Sequence, residues 1–574
     1  MNTMKHTMRQ AAHTLFMALT ALAITSCAGM LENDSDLIMT PDQNSLSSPN
    51  DTIYSVIGTI SLMQRVADRT NILGEVRGDL VSCTTDASVQ LQNLAAYDFD
   101  ELGDYNRVAD YYAIINNCNY FINKVNLEYV KRGQAVFLKE YAVMKTYRAW
   151  AYLQLAINYG QVPFFTDFLA TEAAGQEVMQ QSKKDINFIC DYFITDLAPY
   201  IETPFPDYGN IAGTPCSEFF IPVRAMLGEL CLWAGRYQQA AQYYHDFFNA
   251  RGEERPMYDN AISWSVQTIG DLTRLRDGRS ILSTSEAFSA IPMEETQSDG
   301  TISRLEDLYS STDNNRGFFQ LTRSAALTEL SASQNYCYVY VNTELNERDT
   351  IIVHKGDTTF NDKKMAGDLR LYSDLSETYT ISSSTTDYNH YYQKCYKMSN
   401  AGMPIMRLTQ LYLHYAEALN RAGFPSAAML ILKRGVCTEY IEQYVTAHER
   451  QKAGTLLDFN ATYFTRERAS GIHSNGCGEA DADTTYVLPM PAAAMASAED
   501  TIQYQIPLVE DMIMDEAALE CSFEGSRFGD LQRIALRRSD PAYLADRVAM
   551  RTGELNTTLQ DKLKTPANWY LPLK

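Results

Sequence analysis

The chain has 574 residues, of which 45% are hydrophobic, and carries a formal net charge of −23. That length and apolar content are enough for a large buried core or two merged cores. The acidic balance argues against binding of nucleic acid, because that requires a basic surface on the protein. The solubility of an exposed protein is enough to explain the negative charge.

The first 26 residues have the order of a secretory signal peptide. Lys5 and Arg9 precede an uncharged apolar stretch at 15–24, which is too short to span a bilayer as a helix. The next residues, through Ser26 and Cys27, resemble the lipobox of bacterial lipoproteins, in which the cysteine becomes the acylated N-terminus. We therefore predict a signal peptide at 1–26 and lipidation of Cys27. The alternative is an ordinary secreted protein with a chance cysteine.

Residues 27–50 are polar and almost free of apolar periodicity, which predicts a flexible lipidated tether. Glu32, Asp34 and Asp36 resemble the signal that sends lipoproteins of Bacteroidetes to the outer face of the outer membrane. No later stretch of about 18 uninterrupted apolar residues predicts a transmembrane helix.

The rest of the chain, 51–574, is predicted to form one mainly helical domain. Apolar residues three and four apart predict helices at 52–69, 107–130, 136–159, 183–198, 219–250, 405–435 and 510–537. Strand alternation is found mainly at 336–341 and 350–354, which predicts a small β-hairpin. The helical scaffold would then cover 51–250 and 405–540. A long irregular region between them, about 255–400, is expected to face the ligand.

Two of the helical regions repeat a spacing. Aligning Gly423 on Gly235 also superposes Glu417 on Glu229, and a small residue, Gly228, stands in the first copy where its helices cross. Small residues at the crossing and glycine at the turn let antiparallel helices pack closely, as in tetratricopeptide pairs. The alternative is two generic amphipathic hairpins.

Catalytic and metal motifs are missing from the sequence. None of the eight histidines has metal-ligand spacing, and G-x-S-x-G, P-loop and G-x-G-x-x-G motifs are absent. We therefore predict no enzyme activity and no cofactor, with an unrecognised hydrolase as a remote alternative. The run Glu479, Asp481, Asp483 and Thr485 could hold a structural calcium ion, but a solvated acidic loop explains it better. The ten cysteines beyond Cys27 form no C-x-x-C pair and are expected to be mostly buried thiols.

Taken in order, five segments resemble the SusD/RagB family of outer-membrane nutrient-binding lipoproteins. Residues 139–164 resemble its most recognisable stretch, a helix that ends in Tyr-Gly-Gln-Val-Pro-Phe. The other segments are an early helix at 111–119, two C-terminal signatures at 406–420 and 520–533, and the ending at 569–573.

The resemblance implies a tetratricopeptide-like scaffold whose irregular loops bind ligand. It also implies a partner, a SusC-like TonB-dependent transporter over which the lipoprotein closes as a lid, and a position on the outer membrane, facing outward. The expected function is non-catalytic capture of an oligosaccharide for import. Peptide capture, as in the RagB branch, is the alternative.

The resemblance also points to candidate ligand residues. The segments 75–79 and 96–100 correspond to a stretch that supplies ligand contacts in the family's starch binder, with Tyr97 in the place of a stacking tryptophan. Aromatic rings suit the apolar C–H faces of sugars. Trp150 and Trp233 lie on predicted helices and are assigned to the core. The candidates are Tyr97 and Asp98, followed by Arg77, Asp79, Trp264 and Tyr309.

Several charged residues stand among apolar positions of the two C-terminal signatures. Such residues are expected to form buried ion pairs that fix helix packing, with no ligand role. They are Arg407, Glu417, Glu524, Arg527, Asp530 and Arg533.

Overall fold

A computed structural model describes the chain in segments. They are residues 46, 49–211, 213–251, 286–293, 301–311, 319–342, 347–353, 358–360, 363–365, 367–371, 375–381, 389–398, 402–478, 480–481 and 483–573. Cys27, Trp264, Glu479, the signal peptide and almost all of the tether lie outside these segments. The chain divides by packing into Met1–Ser47 and Ser48–Lys574, and the architecture below is that of the second unit.

Helices dominate the described residues and confirm the mainly α fold. They are α1 (Pro49–Val76), α2 (Val89–Ala95), α3 (Val108–Lys124), α4 (Leu138–Tyr159), α5 (Glu172–Met179), α6 (Ile186–Leu197), α7 (Val223–Trp233), α8 (Tyr237–Ala250), α9 (Leu305–Tyr309), α10 (Ala325–Ser333), α11 (Leu408–Arg421), α12 (Pro425–Lys433), α13 (Thr438–Tyr444), α14 (Ala447–Lys452), α15 (Ser474–Cys477), α16 (Ala498–Cys521), α17 (Arg527–Arg538), α18 (Ala542–Ala549) and α19 (Thr557–Leu563).

Every stretch with helical periodicity contains a helix, but one boundary was missed. The pattern at 510–537 is divided between α16 and α17, because Phe523 and Gly525 have φ angles of 71° and 90°. Such left-handed conformations cannot continue a right-handed helix. This break lies against α1, where a Cβ on Gly74 would come 1.7 Å from the carbonyl oxygen of Gly525.

The repeated spacing corresponds to two helix pairs, α7 with α8 and α11 with α12, which pack side by side. Gly235 and Gly423 form the turns with φ angles of +72° and +95°. In the first pair a Cβ on Gly228 would come 2.5 Å from the Tyr244 ring, so glycine is what lets the two helices approach. This arrangement confirms the tetratricopeptide-like prediction.

The strands are short and form separate two-stranded ribbons. They are β1 (Val81–Cys83), β2 (Val130–Lys131), β3 (Gln134–Ala135), β4 (Asn210–Ile211), β5 (Thr214–Pro215), β6 (Ala287–Pro292), β7 (Leu321–Arg323), β8 (Tyr336–Asn342), β9 (Glu347–Val353), β10 (Thr358–Phe360), β11 (Lys363–Met365), β12 (Leu375–Ile381), β13 (Asn389–Cys395) and β14 (Gly402–Arg407). The predicted hairpin is confirmed, with Tyr336 opposite Val353 in an antiparallel register. The pairs β1–β7 and β6–β14 join distant parts of the chain.

The charged residues of the C-terminal signatures form buried ion pairs, as predicted. Arg533 on α17 donates to Glu417 on α11 at 2.6 Å and to Asp530 at 2.9 Å. Arg407 at the end of β14 pairs with Glu524 at 2.5 Å. These pairs join α11 to α17 and β14 to the turn between α16 and α17, and each lost partner would leave a buried charge uncompensated.

A second buried network ties the irregular region to α16. The guanidinium of Arg370 contacts Asp368 and Glu516 at 2.7 Å and Glu520 at 2.9 Å, and all four side chains are fully buried. Burial alone would lower the pKa of Arg370, but the three carboxylates outweigh it and raise that pKa well above its ordinary value.

All ten cysteines of the second unit are free thiols, and all but Cys83 are buried, which confirms that expectation. None of the described helices is long and apolar enough to cross a lipid bilayer.

Candidate functional site

Arg77, a predicted ligand residue, lies in the core just beyond the end of α1. Its side chain is completely buried, and its Cζ lies 3.7 Å from the centroid of the Phe528 ring. Its Nε donates to the Leu73 carbonyl at 2.9 Å, its Nη1 to the Trp569 carbonyl at 3.1 Å, and its Nη2 to Asn158. Arg77 therefore joins α1, α4 and the C-terminal segment. Burial lowers its pKa to about 10.

Tyr97 lies next to Arg77 and is equally enclosed. Its ring is only 2% exposed, within an apolar cluster that includes Phe528, Leu531 and Trp569. The Tyr97 hydroxyl donates to the backbone carbonyl of Arg77, and burial raises its pKa above the ordinary value. A ring with both faces in the core cannot stack on a sugar, so this structure gives Tyr97 a packing role.

Asp79 and Tyr309 are also buried. The carboxylate of Asp79 is held by Arg527, whose Nε lies 2.6 Å from Oδ1. Tyr309 on α9 is 1% exposed, and its ring lies 5.3 Å from that of Phe523. Both side chains are therefore occupied by the protein itself.

Asp98 is the one exposed member among the five candidates that the structure describes. Its backbone N–H donates to the Asn93 carbonyl at 2.8 Å, which fixes the turn after α2. Its carboxylate is open to solvent and stays a candidate for a ligand contact. Trp264 lies outside the described residues.

The two described carboxylates of the acidic run, Asp481 and Asp483, have separate partners. Asp481 pairs with Arg434. Asp483 accepts from the N–H and hydroxyl of Thr485 at 2.8 Å and faces His473, and these contacts outweigh burial and lower its pKa. Among the described residues no group of three or more histidine, cysteine or acidic side chains could hold a metal ion. The structural calcium ion stays a prediction, because Glu479 lies outside the described residues.

The larger of two described cavities is a cleft that sequence reasoning missed. It has a volume of about 650 Å³ and is formed by residues within 201–205, 215–224, 247–251 and 287–288. We call it the Phe205 cleft, after the half-buried ring of Phe205 in its wall. The signal that could have indicated it is Pro204-Phe205-Pro206, since an aromatic residue between prolines marks an ordered loop.

One side of the Phe205 cleft is aromatic. The Phe205 ring contacts that of Phe220 edge to face at 5.4 Å. Phe247 at the end of α8 and Phe288 in β6 lie 5.0 Å apart, and the Cζ of Arg251 lies 5.0 and 4.9 Å from their centroids. This packing fixes the apolar wall.

The polar side of the Phe205 cleft centres on Arg224 in the first turn of α7. Its Nη1 donates to the Asp246 carbonyl at 3.3 Å, and its Nη2 pairs with Glu202, a carboxylate that is 81% exposed. The Nε of Arg224 is buried and has no hydrogen-bond partner among the described residues.

The smaller cavity lies inside the scaffold, between α1, α4, α7, α11 and α17. It measures about 120 Å³ and is lined by polar groups that include Glu229, His414 and Arg533. Ligand pockets usually measure roughly 300–1,000 Å³, so this cavity is sized for water and not for a sugar.

Comparison with known proteins finds a family match in the C-terminal part of the chain and a shared fold over most of it. Residues 349–573 match the model of the SusD family. The fold is similar to that of a SusD superfamily protein from Bacteroides fragilis, with a TM-score of 0.54, 14% identity, and coverage of 92% of this chain and 96% of that one. The family match thus covers the C-terminal part of the chain, and over most of its length the chain has the fold of these SusD superfamily proteins.

Two further solved structures share the fold. NanU of B. fragilis is 16% identical, with a TM-score of 0.51 and coverage of 93% of this chain and 98% of that one. A putative sugar binding protein from Bacteroides vulgatus is 15% identical, with a TM-score of 0.50 and coverage of 86% and 88%. A search of curated proteins found no match.

Proposed function

We propose that this protein is a non-catalytic lipoprotein that captures an oligosaccharide at the cell surface. The observation that carries the proposal is the match of residues 349–573 to the SusD family, in a chain with a tetratricopeptide-like scaffold and a cleft of ligand size. A similar structure described as a putative sugar binding protein supports a glycan as the ligand. The Phe205 cleft combines aromatic and polar walls, which is the chemistry that sugar rings and hydroxyls require.

In this proposal Cys27 carries the lipid anchor in the outer membrane, facing outward, and the partner is a SusC-like TonB-dependent transporter. A tethered binder beside an import channel raises the local concentration of its ligand there. The anchor is part of the mechanism, since a lid must stay attached while its body moves. Radiolabelled palmitate should label the wild-type protein in cells, and the Cys27→Ala variant should stay unlabelled.

The binding function is tested with purified protein in native gels that contain single polysaccharides: starch, xylan, arabinan, galactan, mannan and mucin glycan. Retarded migration in at least one gel is expected, with no release of reducing ends over time. Failure to bind any of them, together with peptides found by mass spectrometry on the purified protein, would favour peptide capture. Release of product would identify a hydrolase.

The transport function is tested in cells. The Cys27→Ala variant should bind the same glycan in gels and fail to support uptake, because only the anchor is lost. The wild-type protein should co-purify with an outer-membrane transporter. The Cys27→Ala variant should instead appear in detergent-free extracts without the transporter. Normal uptake by the variant would remove the anchor from the mechanism.

A further inference from the structure

We infer that the Phe205 cleft is an oligosaccharide-binding site of this protein. The inference rests on the proposed function, because it names the place where a glycan would bind. Of the residues expected at such a site from the sequence, Asp98 is exposed, whereas four others are enclosed in the core: Tyr97, Arg77, Asp79 and Tyr309. Among the described cavities, the Phe205 cleft has the volume, at about 650 Å³, that small-molecule sites require.

The first argument is the ring of Phe205. It is half-buried and braced edge-on by Phe220, which is fully buried. A ring that is held from one side and open on another can stack on the apolar C–H face of a sugar without losing further conformational freedom.

The second argument is a pair of charged groups that line the same cleft, Arg224 and Glu202. The partly exposed guanidinium of Arg224 lines the cleft, and its Nη1 and Nη2 each make one hydrogen bond, which leaves a second N–H on each that can donate to a sugar hydroxyl. The carboxylate of Glu202, already held by Arg224, is exposed enough to accept from another hydroxyl. A charged acceptor beside a charged donor suits sugar hydroxyl groups, because each hydroxyl can both donate and accept a hydrogen bond.

The third argument is rigidity. The cleft is built where α7 begins and α8 ends, and Pro204, Pro215 and Pro222 fix the backbone of its loops. The Phe247 and Phe288 rings pack against Arg251, which fixes this part of the aromatic wall. A site formed before the ligand arrives avoids the entropy of ordering loops on binding.

The test compares three variants with the wild-type protein on the polysaccharide that retards it most. Phe205→Ala should weaken retention by about tenfold or more, since it removes the stacking ring. Phe205→Trp should retain binding, because it keeps an aromatic face. Phe188→Ala is the matched control, as Phe188 is 39% exposed on α6, outside the cleft. Its retention should equal that of the wild type.

The Phe205→Trp variant also gives a direct readout. Its new indole would sit in the cleft wall, so saturating glycan should shift its fluorescence relative to the wild-type protein under the same conditions. Thermal unfolding of each variant checks that all three are folded. Equal retention by the wild type and by a folded Phe205→Ala variant would overturn the cleft site and leave glycan binding standing. Failure of the wild type to bind any polysaccharide would overturn the proposed function instead.

Discussion

Asp79 and Arg527 form a two-point ion pair across 448 residues of sequence, with Nε–Oδ1 at 2.6 Å and Nη2–Oδ2 at 2.9 Å. The pair joins the segment after α1 to the first turn of α17. Burial would raise the pKa of Asp79, but Arg527 outweighs it and lowers that pKa. A carboxylate held in this way is a packing element, and it is not available to a ligand.

We therefore predict that Asp79→Asn destabilises the protein and leaves glycan retention unchanged in the folded fraction. The variant leaves Arg527 buried without its counter-charge, which typically costs about 3–5 kcal/mol of unfolding free energy. Urea unfolding measures the cost. The control is Lys564→Met, which removes an exposed pair with Asp561 at 3.1 Å and should cost less than about 1 kcal/mol. A stable Asp79→Asn variant with weakened retention would return Asp79 to the ligand site.

The Asp79–Arg527 pair also shows how far the sequence could be interpreted. The periodic helices, the repeated helix pairs and the buried charges of the C-terminal signatures follow from local patterns, so they could be predicted. Arg527 was assigned a structural role and Asp79 a ligand role, although each is the other's partner. Only the fold brings the two together, because nothing local in the sequence encodes a contact over such a separation.

The same limit applies to the candidate site. Tyr97 has a φ angle of 55°, which turns the chain after α2 and directs the ring inward against Phe528. A motif gives the residue type but not the direction of its side chain. The Phe205 cleft was missed for the complementary reason, since its walls come from four separated segments with no shared pattern.

A second prediction separates packing from recognition at Tyr97. Tyr97→Phe keeps the ring and removes the hydroxyl that donates to Arg77, so it should cost about 1–3 kcal/mol, because the Arg77 carbonyl is left without that donor. Tyr97→Ala should cost about 3–5 kcal/mol, because it leaves a cavity in the cluster. Chemical unfolding measures both. If Tyr97→Ala were as stable as the wild type and failed to bind glycan, the packing role would be wrong.

A third prediction concerns pH. Burial and the repulsion of Arg533 disfavour the charged form of His414. The carboxylates of Glu229, 2.7 Å from Nδ1, and of Asp530 outweigh both effects. The pKa of His414 therefore rises to about 10 from 6.5. The native state therefore binds a proton that the unfolded state releases above pH 6.5. This stabilisation is complete below pH 6.5 and is lost as the pH rises towards 10.

His414→Gln should therefore flatten the fall in unfolding free energy between pH 6.5 and 9.5, by up to about 1.4 kcal/mol per pH unit. The control is Tyr244→Phe, which removes a hydroxyl that donates to Glu229 at 2.7 Å but keeps the histidine. It should lower stability and retain the steep pH dependence. Parallel profiles for His414→Gln and the wild type would show that His414 does not titrate between the folded and unfolded states.

A last prediction compares two glycines in helix interiors. Glycine lowers helix stability relative to alanine, except where close packing leaves no room for a side chain. A Cβ on Gly58 in α1 would meet no atom within 4 Å in the described part of the chain, so Gly58→Ala should raise unfolding free energy by about 0.5–1 kcal/mol. A Cβ on Gly228 in α7 would lie 2.5 Å from the Tyr244 ring, so Gly228→Ala should lower it by about 1–3 kcal/mol. The two changes are chemically identical, and urea unfolding compares them directly. Equal effects would show that the stability of the α7–α8 pair does not depend on close approach at Gly228. The tetratricopeptide-like packing of this pair would then be wrong.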